Sequence, residues 1–195
     1  MFGRRKEEER IGSATVSFYQ GMKGGVVEMW AGAGDPGMRM LLACSYLSKC
    51  LFNYGQNPLA HDLVAFAKAA AFEVLGQDGT NVTRPSVTGE WTLYPSAPAA
   101  PLVEKQEIQL LQRAGGQSYP STTGTSDLHF PFAANVLIFQ DLINTLPEGN
   151  LKVFAIIVLG MTEYYETNAW TNPRSVIDAP NYGWQKAGEV FGTSK

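Results

Sequence analysis

The sequence predicts an α+β fold, in which a small antiparallel sheet (an N-terminal hairpin plus a central strand pair) is packed by two helix pairs. Residues 13–30 alternate apolar and polar side chains around a run of glycines, which is the pattern of a β-hairpin. Residues 36–75 and 131–165 carry apolar side chains at helical spacing. Strands and helices that come in runs, rather than in strict alternation, indicate an α+β domain.

The first half of the domain is predicted to hold the hairpin and one helix pair. Glycines within residues 21–25 supply the tight reversal between the two strands. Pro36 begins the first helix, since its missing N–H is not needed there, and this helix extends to residue 54. A second, alanine-rich helix covers residues 58–75 and is capped by Asn57.

The middle of the chain is predicted to add a strand pair and a loop. Residues 90–94 form a short strand. Residues 104–113 suit a strand or a short helix, and we favour the strand because it would pair with residues 90–94. Residues 114–127 are rich in Gly, Ser and Thr and are predicted to be a loop, of a length that is usually functional or mobile.

The most apolar stretch of the chain is predicted to form its central helix. Pro131 begins this helix, and Pro147 and Gly149 end it. One face of the helical wheel is apolar and comprises Val136, Ile138, Phe139, Leu142, Ile143 and Leu146. The opposite face is polar and comprises Gln140, Asp141 and Asn144. Leu137 is the single apolar residue on the polar side, so an amphipathic helix is predicted.

The apolar segment that follows, residues 152–165, is predicted to be the second helix of this pair. Its unbroken, β-branched run also suits a buried strand. We favour the helix because it gathers Lys152, Glu163 and Glu166 on one side. Each apolar run is shorter than the roughly 20 residues that a transmembrane helix requires, so no membrane span is predicted.

The domain organisation follows from these elements. Residues 1–12 are predicted to be a flexible charged arm, residues 13–168 a single α+β domain and residues 169–195 an aromatic tail. The order of elements also matches a ββαα duplication of residues 13–76 and 88–167. Residue identity between the halves is too low to support it, so the duplication stays an alternative.

Composition limits the class of partner and the compartment. The chain is 45% hydrophobic and 17% charged, which is an ordinary soluble globular composition with somewhat few charges. Its net charge is −3 and its basic residues are scattered, which argues against a nucleic-acid partner. Two cysteines are too few for a disulfide framework, and no apolar segment follows the charged N-terminus to make a secretory signal. We therefore expect a soluble, cytoplasmic protein.

A glycine-rich turn at the start of the first helix is the candidate ligand site. Its glycines are Gly32, Gly34 and Gly37. Free N–H groups at a helix N-terminus favour an anion, and Arg39 is the nearby cation. The Walker pattern is incomplete, however, and Asp35 would repel an anion. The alternative function is a small-molecule or nucleotide-binding protein, with a hydrolase among the options, that uses residues 32–39 and 114–127.

The weak candidates for catalysis are His129, Ser126 and Asp127, the residue types of a base, a nucleophile and an orienting group. Triad members normally come from separate segments, and no Gly-x-Ser-x-Gly elbow surrounds Ser126. A helix cap explains Ser126 or Asp127 more simply. Glu163 and Glu166 share a helix face but lack a Glu-x-x-His partner. We predict no metal site and no cofactor, and an enzyme is not the favoured class.

Aromatic residues near the C-terminus are the candidate interface, and they are Tyr164, Tyr165, Trp170, Tyr182 and Trp184. Aromatic side chains in irregular segments either hold a tail on its own domain or anchor a protein interface. Because no coherent catalytic set accompanies them, the leading hypothesis is a non-catalytic binding or assembly protein. Its predicted partner is a second copy of itself, as a homo-oligomer, or another protein of a larger complex.

Overall fold

The computed structural model describes residues 8–31, 36–53, 91–116, 118–124 and 129–169. The strands in this part of the chain are β1 (Glu9–Tyr19), β2 (Gly24–Ala31), β3 (Thr92–Leu93), β4 (Leu102–Gln112) and β5 (Ser118–Thr123). The helices are α1 (Pro36–Asn53), α2 (His129–Thr145) and α3 (Asn150–Ala169). The strands form one open sheet in the order β3-β2-β1-β4-β5.

The predicted α+β class is confirmed. β1 and β2 form the predicted hairpin, with Val16 opposite Val27. Residues 104–112 lie in a strand rather than a short helix, and residues 152–165 lie in a helix rather than a strand. β1 begins at Glu9, so residues 9–12 belong to the sheet and not to a free arm. The predicted helix of residues 58–75 lies outside the described residues.

The predicted pairing of residues 90–94 with residues 104–113 is wrong. β3 pairs in parallel with β2, which makes the sheet mixed rather than purely antiparallel. β4 pairs with β1 on one side and with β5 on the other. Between β3 and β4 the chain carries prolines at positions 95, 98 and 101, which lack the N–H of a strand ladder. These prolines prevent a direct hairpin, and the chain crosses instead to the far side of β1.

Strand β5 lies inside residues 114–127, which the composition predicts to be a loop. It pairs antiparallel with β4, with Gln112 opposite Ser118 and Glu107 opposite Thr123. The loop prediction is wrong for residues 118–123. Composition alone does not show that this segment lies beside β4 and can pair with it. β5 pairs on one side only among the described strands, and a strand with one free edge tolerates a proline such as Pro120.

One face of the sheet, the inner face, forms the core with the helices. Its buried apolar side chains on the two central strands are Ala14, Val16, Phe18, Ile108 and Leu110. Side chains of both helices lie over glycines of the sheet, and Gly25 allows the closer approach of the two. A Cβ on Gly12 would lie 3.7 Å from the Leu42 side chain of α1, and a Cβ on Gly25 would lie 3.0 Å from the Leu137 side chain of α2. Both helices therefore lie on the inner face.

Helix α2 is enclosed over most of its length. Every residue from 132 to 140 is buried. The predicted polar face is wrong at two positions, since Leu137 is 0% exposed and Gln140 is also buried. Gln140 is accommodated because its Nε2 donates a hydrogen bond to the Trp91 carbonyl oxygen at 3.3 Å. α2 contacts the sheet, α1 and α3, so its first turns have no water-facing side and need no polar one.

Lys152 also departs from the predicted wheel of α3. The predicted wheel places Lys152 on a polar side with Glu163 and Glu166, but Lys152 is only 2% exposed. Its Nζ donates to Glu148 Oε1 at 2.6 Å, and the Glu148 side chain is mostly exposed. The aliphatic stem of Lys152 is thus buried while its charge is paired close to the surface. None of the described helices has the length and apolarity needed to cross a membrane.

Candidate functional site

The face of the sheet opposite the inner face is the candidate site, and we call it the open face. Alternate side chains of each strand point away from the core. The open face comprises Arg10, Ser13, Thr15, Ser17, Val26, Glu28, Trp30, Lys105, Glu107, Gln109, Leu111, Tyr119, Ser121 and Thr123. All of them except Val26 are half-buried or exposed, whereas the core residues of the inner face are buried.

Strand register arranges the open face in rows that cross the sheet. The central row contains Trp30, Ser13, Gln109 and Ser121. On one side of it, two residues along each strand, lies an acidic row of Glu28, Thr15, Glu107 and Thr123. On the other side lies a basic row of Arg10, Leu111 and Tyr119. Neighbouring rows are roughly 7 Å apart, because each strand rises about 3.4 Å per residue.

An arginine guanidinium group lies over each of two aromatic rings of the open face. Trp30 is 50% exposed, and the Arg10 guanidinium carbon lies 5.8 Å from the centre of its ring. The Arg113 guanidinium carbon lies 4.6 Å from the centre of the Tyr119 ring, and Arg113 Nε lies 3.7 Å from Glu8 Oε1. Such cation–π contacts are worth only about 0.5–1 kcal/mol at exposed sites, so they favour these side-chain positions without fixing them. The central and basic rows thus present aromatic and arginine side chains to solvent.

A second group of polar side chains lies in the core, on the inner side of the sheet. Tyr46 Oη on α1 donates to Gln106 Oε1 on β4 at 3.0 Å, and Gln106 Nε2 donates to Glu104 Oε1 at 2.6 Å. Gly124 is required beside this amide, because a Cβ at that position would collide with the Gln106 side chain. Burial is the main cause that raises the pKa of Tyr46, and the neighbouring Cys50 raises it further. This tyrosine therefore stays protonated and serves as a hydrogen-bond donor.

Cys50 and Asn135 join α1 to α2 beside this tyrosine. Asn135 Nδ2 donates to Cys50 Sγ at 3.2 Å and to the Pro131 carbonyl oxygen at 2.9 Å. Burial raises the pKa of Cys50 to about 12, although the contacts with Asn135 and Tyr46 oppose the shift. Burial alone raises the pKa of Cys44 to about 12. Because a thiolate and not a thiol is the nucleophile, both cysteines are chemically inert in the fold.

We expect neither thiol of the folded protein to react with an aromatic disulfide reagent at pH 8 within minutes. At a pKa of about 12 only about one thiol in ten thousand is ionised at that pH, and both side chains are buried. The same reagent in concentrated guanidinium chloride should release two equivalents of chromophore, since the chain has two cysteines. Rapid release of one equivalent from the native protein would contradict the buried placement of that cysteine.

The predicted ligand-binding arginine, Arg39, has partners on a neighbouring helix. Its guanidinium donates to Thr145 Oγ1 and lies 3.7 Å from Asp141 Oδ2, so it links α1 to α2. Burial raises the pKa of Asp141, and the positive charge of Arg39 opposes that shift. Gly37 lies in the first turn of α1, whereas Gly32 and Gly34 lie outside the described residues. Binding of an anion at this turn stays a prediction.

The remaining predicted site residues are only partly described. His129 is the first residue of α2, while Ser126 and Asp127 lie outside the described residues. Tyr164 and Tyr165 lie in α3, and Trp170, Tyr182 and Trp184 lie outside the described part of the chain. The catalytic and interface sets therefore stay predictions, since each has members outside the described residues. In the described ranges, no three His, Cys, Asp or Glu side chains are grouped so as to hold a metal ion.

The open face was missed as a site, although the sequence contains its pattern. The alternation of Val27 and Met29 with Glu28 and Trp30 predicts the strand and also predicts which side chains leave the core. The rows, by contrast, depend on the pairing of β1 with β4, which no local pattern contains. A tryptophan in the outward phase of a strand was the available indication.

The fold and site define the class as an α+β protein with an open mixed sheet whose helices, in the described residues, pack on one face. Comparisons with protein-family models, with curated proteins and with solved structures found no match to the chain.

Proposed function

We propose that the chain is a non-catalytic protein that acts through protein–protein contacts, as a homo-oligomer or a component of a larger complex. The observation that carries this proposal is the half-exposed Trp30 at one end of the central row of the open face, with the Arg10 guanidinium over its ring. Tryptophan, tyrosine and arginine are the residues enriched at the energetic centres of protein interfaces.

The composition of the open face supports a protein partner over a small ligand. Its hydroxyl, amide and carboxylate groups are spread over three rows. A small-molecule site typically has a few polar groups that converge in a concave pocket. The charged residues lie outside the central row, and Trp30 lies at one end of that row. Aromatic and arginine side chains among polar ones are typical of protein interfaces.

Native mass spectrometry of the protein purified from its own cells tests this proposal. We expect a defined multimer, or a second chain present at a fixed ratio, and we expect Trp30→Ala to weaken that assembly. Leu41→Ala is the matched control, because Leu41 is 46% exposed but lies on α1, away from the open face. A monomer at tens of micromolar that retains no partner in a pull-down would overturn the proposal. A monomer that carries a bound small molecule would favour the alternative function at residues 32–39.

A further inference from the structure

The charges of the open face are placed so that the face is complementary to itself. The acidic row and the basic row lie on opposite sides of the central row. The spacing is two residues along each strand, except that a β-bulge between Arg10 and Gly12 puts Arg10 three residues from Ser13 while keeping it opposite Leu111. In the acidic row the two carboxylates, Glu28 and Glu107, flank Thr15, which lies on the same strand as Arg10. A two-fold axis that runs along the central row exchanges the acidic and basic rows.

We infer that the open face binds the open face of a second copy of this chain, in a two-fold dimer with the central row on the axis; this inference rests on the proposed function. The symmetry places Arg10 of each copy over Thr15 of the other, between Glu28 and Glu107 of that copy. Each Arg10 thus meets two carboxylates on neighbouring strands, and the contact occurs twice because a two-fold interface is self-complementary.

The central row supplies the uncharged part of the same interface. The axis brings Trp30 toward Trp30 of the second copy, which covers the most exposed aromatic ring of the described sheet. It also sets Gln109 against Gln109, and an amide can donate to and accept from its own copy. The remaining members of the row, Ser13 and Ser121, are small, so two sheets can approach to the usual distance of about 10 Å.

Lys105 provides an internal control for this register. It lies on the open face and on β4, two residues beyond Glu107 and farther from the central row. The two-fold axis carries Lys105 past the end of β4 of the second copy, to the level of Arg113, an exposed side chain whose charge is already paired with Glu8.

The test uses charge reversal in the full chain and measures the dimer dissociation constant by sedimentation. We expect Arg10→Glu to raise this constant at least about tenfold, because three carboxylates then meet at each end of the interface. The pair Glu28→Lys and Glu107→Lys, made together in one chain, should have the same effect by opposing Arg10. Lys105→Glu should change the constant by less than about twofold, as expected for an exposed charge that meets an ion pair rather than a single opposite charge.

Mixing separates a lost contact from a lost fold. The Arg10→Glu chain and the chain with both glutamates replaced should each be monomeric alone, yet they should pair with each other, since every reversed charge then meets its opposite. Formation of this heterodimer would support the inference. Variants that remain as dimeric as the parent would overturn the face and register, while the proposed function would stand. A parent chain that is monomeric at these concentrations would overturn the dimer, and a stoichiometric foreign chain would then be needed to retain the proposed function.

Discussion

Replacing Leu137 by alanine is expected to lower the free energy of unfolding by about 2–5 kcal/mol, the usual range for a fully buried leucine. Leu137 is 0% exposed, and it lies on the side of α2 that faces the glycine of β2 at position 25. The loss combines the transfer of its methyl groups with the cavity left between helix and sheet. Urea denaturation followed by circular dichroism measures it, and the slope of the transition should stay unchanged.

Leu41→Ala is the matched control for this prediction. Leu41 is also a helical leucine, but it lies on α1 and is 46% exposed, so its replacement should change the free energy of unfolding by less than about 1 kcal/mol. The helical wheel of the sequence places Leu137 among polar residues and would predict a similarly small effect there. Equal, small effects of the two substitutions would therefore contradict the enclosed position of α2.

Asn135→Asp is expected to destabilise the protein by at least about 3 kcal/mol at pH 7, because a carboxylate would be buried without a cation. Asn135 is 0% exposed, and its Nδ2 donates to Pro131 and Cys50. A protonated carboxyl can still donate one hydrogen bond to the Pro131 carbonyl oxygen. A carboxylate has no proton to donate and would be repelled by the partial negative charge of that oxygen. Burial should therefore raise the pKa of the introduced carboxyl well above its usual value of about 3.9.

The pH dependence of this variant has a definite sign. A carboxyl whose pKa is raised in the folded state binds its proton more tightly there than in the unfolded chain. The free energies of unfolding of variant and parent should be closest at about pH 4 and below. Above that pH the variant should lose up to about 1.4 kcal/mol of this free energy per pH unit, until the raised pKa is reached. Asn144→Asp, on the exposed end of the same helix, should show no such slope. A flat difference between Asn135→Asp and the parent from pH 4 to 8 would show that the site is hydrated.

Local patterns predicted most elements of this fold but not their arrangement. The hairpin follows from alternation and turn glycines, and α1 follows from Pro36 and helical spacing. The position of β4 between β1 and β5 does not, since it depends on contacts between distant residues such as Ala14 and Ile108. The amphipathic pattern of α2 also failed for a physical reason. A helix that is covered by a sheet and by other helices can place leucine on every side.

The two candidate sites differ in how far a sequence can predict them. Outward alternation identifies the side chains of the open face, because period two is a property of any strand. The rows that contain Arg10, Glu28 and Glu107 depend on the register of three strands. A slip of one residue in a strand would turn all of its side chains to the other face. The contact between Tyr46 and Gln106 joins a helix to a strand. No spacing in the sequence connects those two residues.

The central position of β1 determines what the nascent chain exposes during translation. Its second neighbour in the sheet, β4, follows about ninety residues later, so a nascent chain carries β1 with one unpaired edge for several seconds of translation. The hairpin of β1 and β2 then presents Val16 and Phe18 to solvent, along with a strand edge that other chains could join. Slow translation between codons 20 and 100 should thus lower the soluble yield of this protein more than slow translation after codon 112.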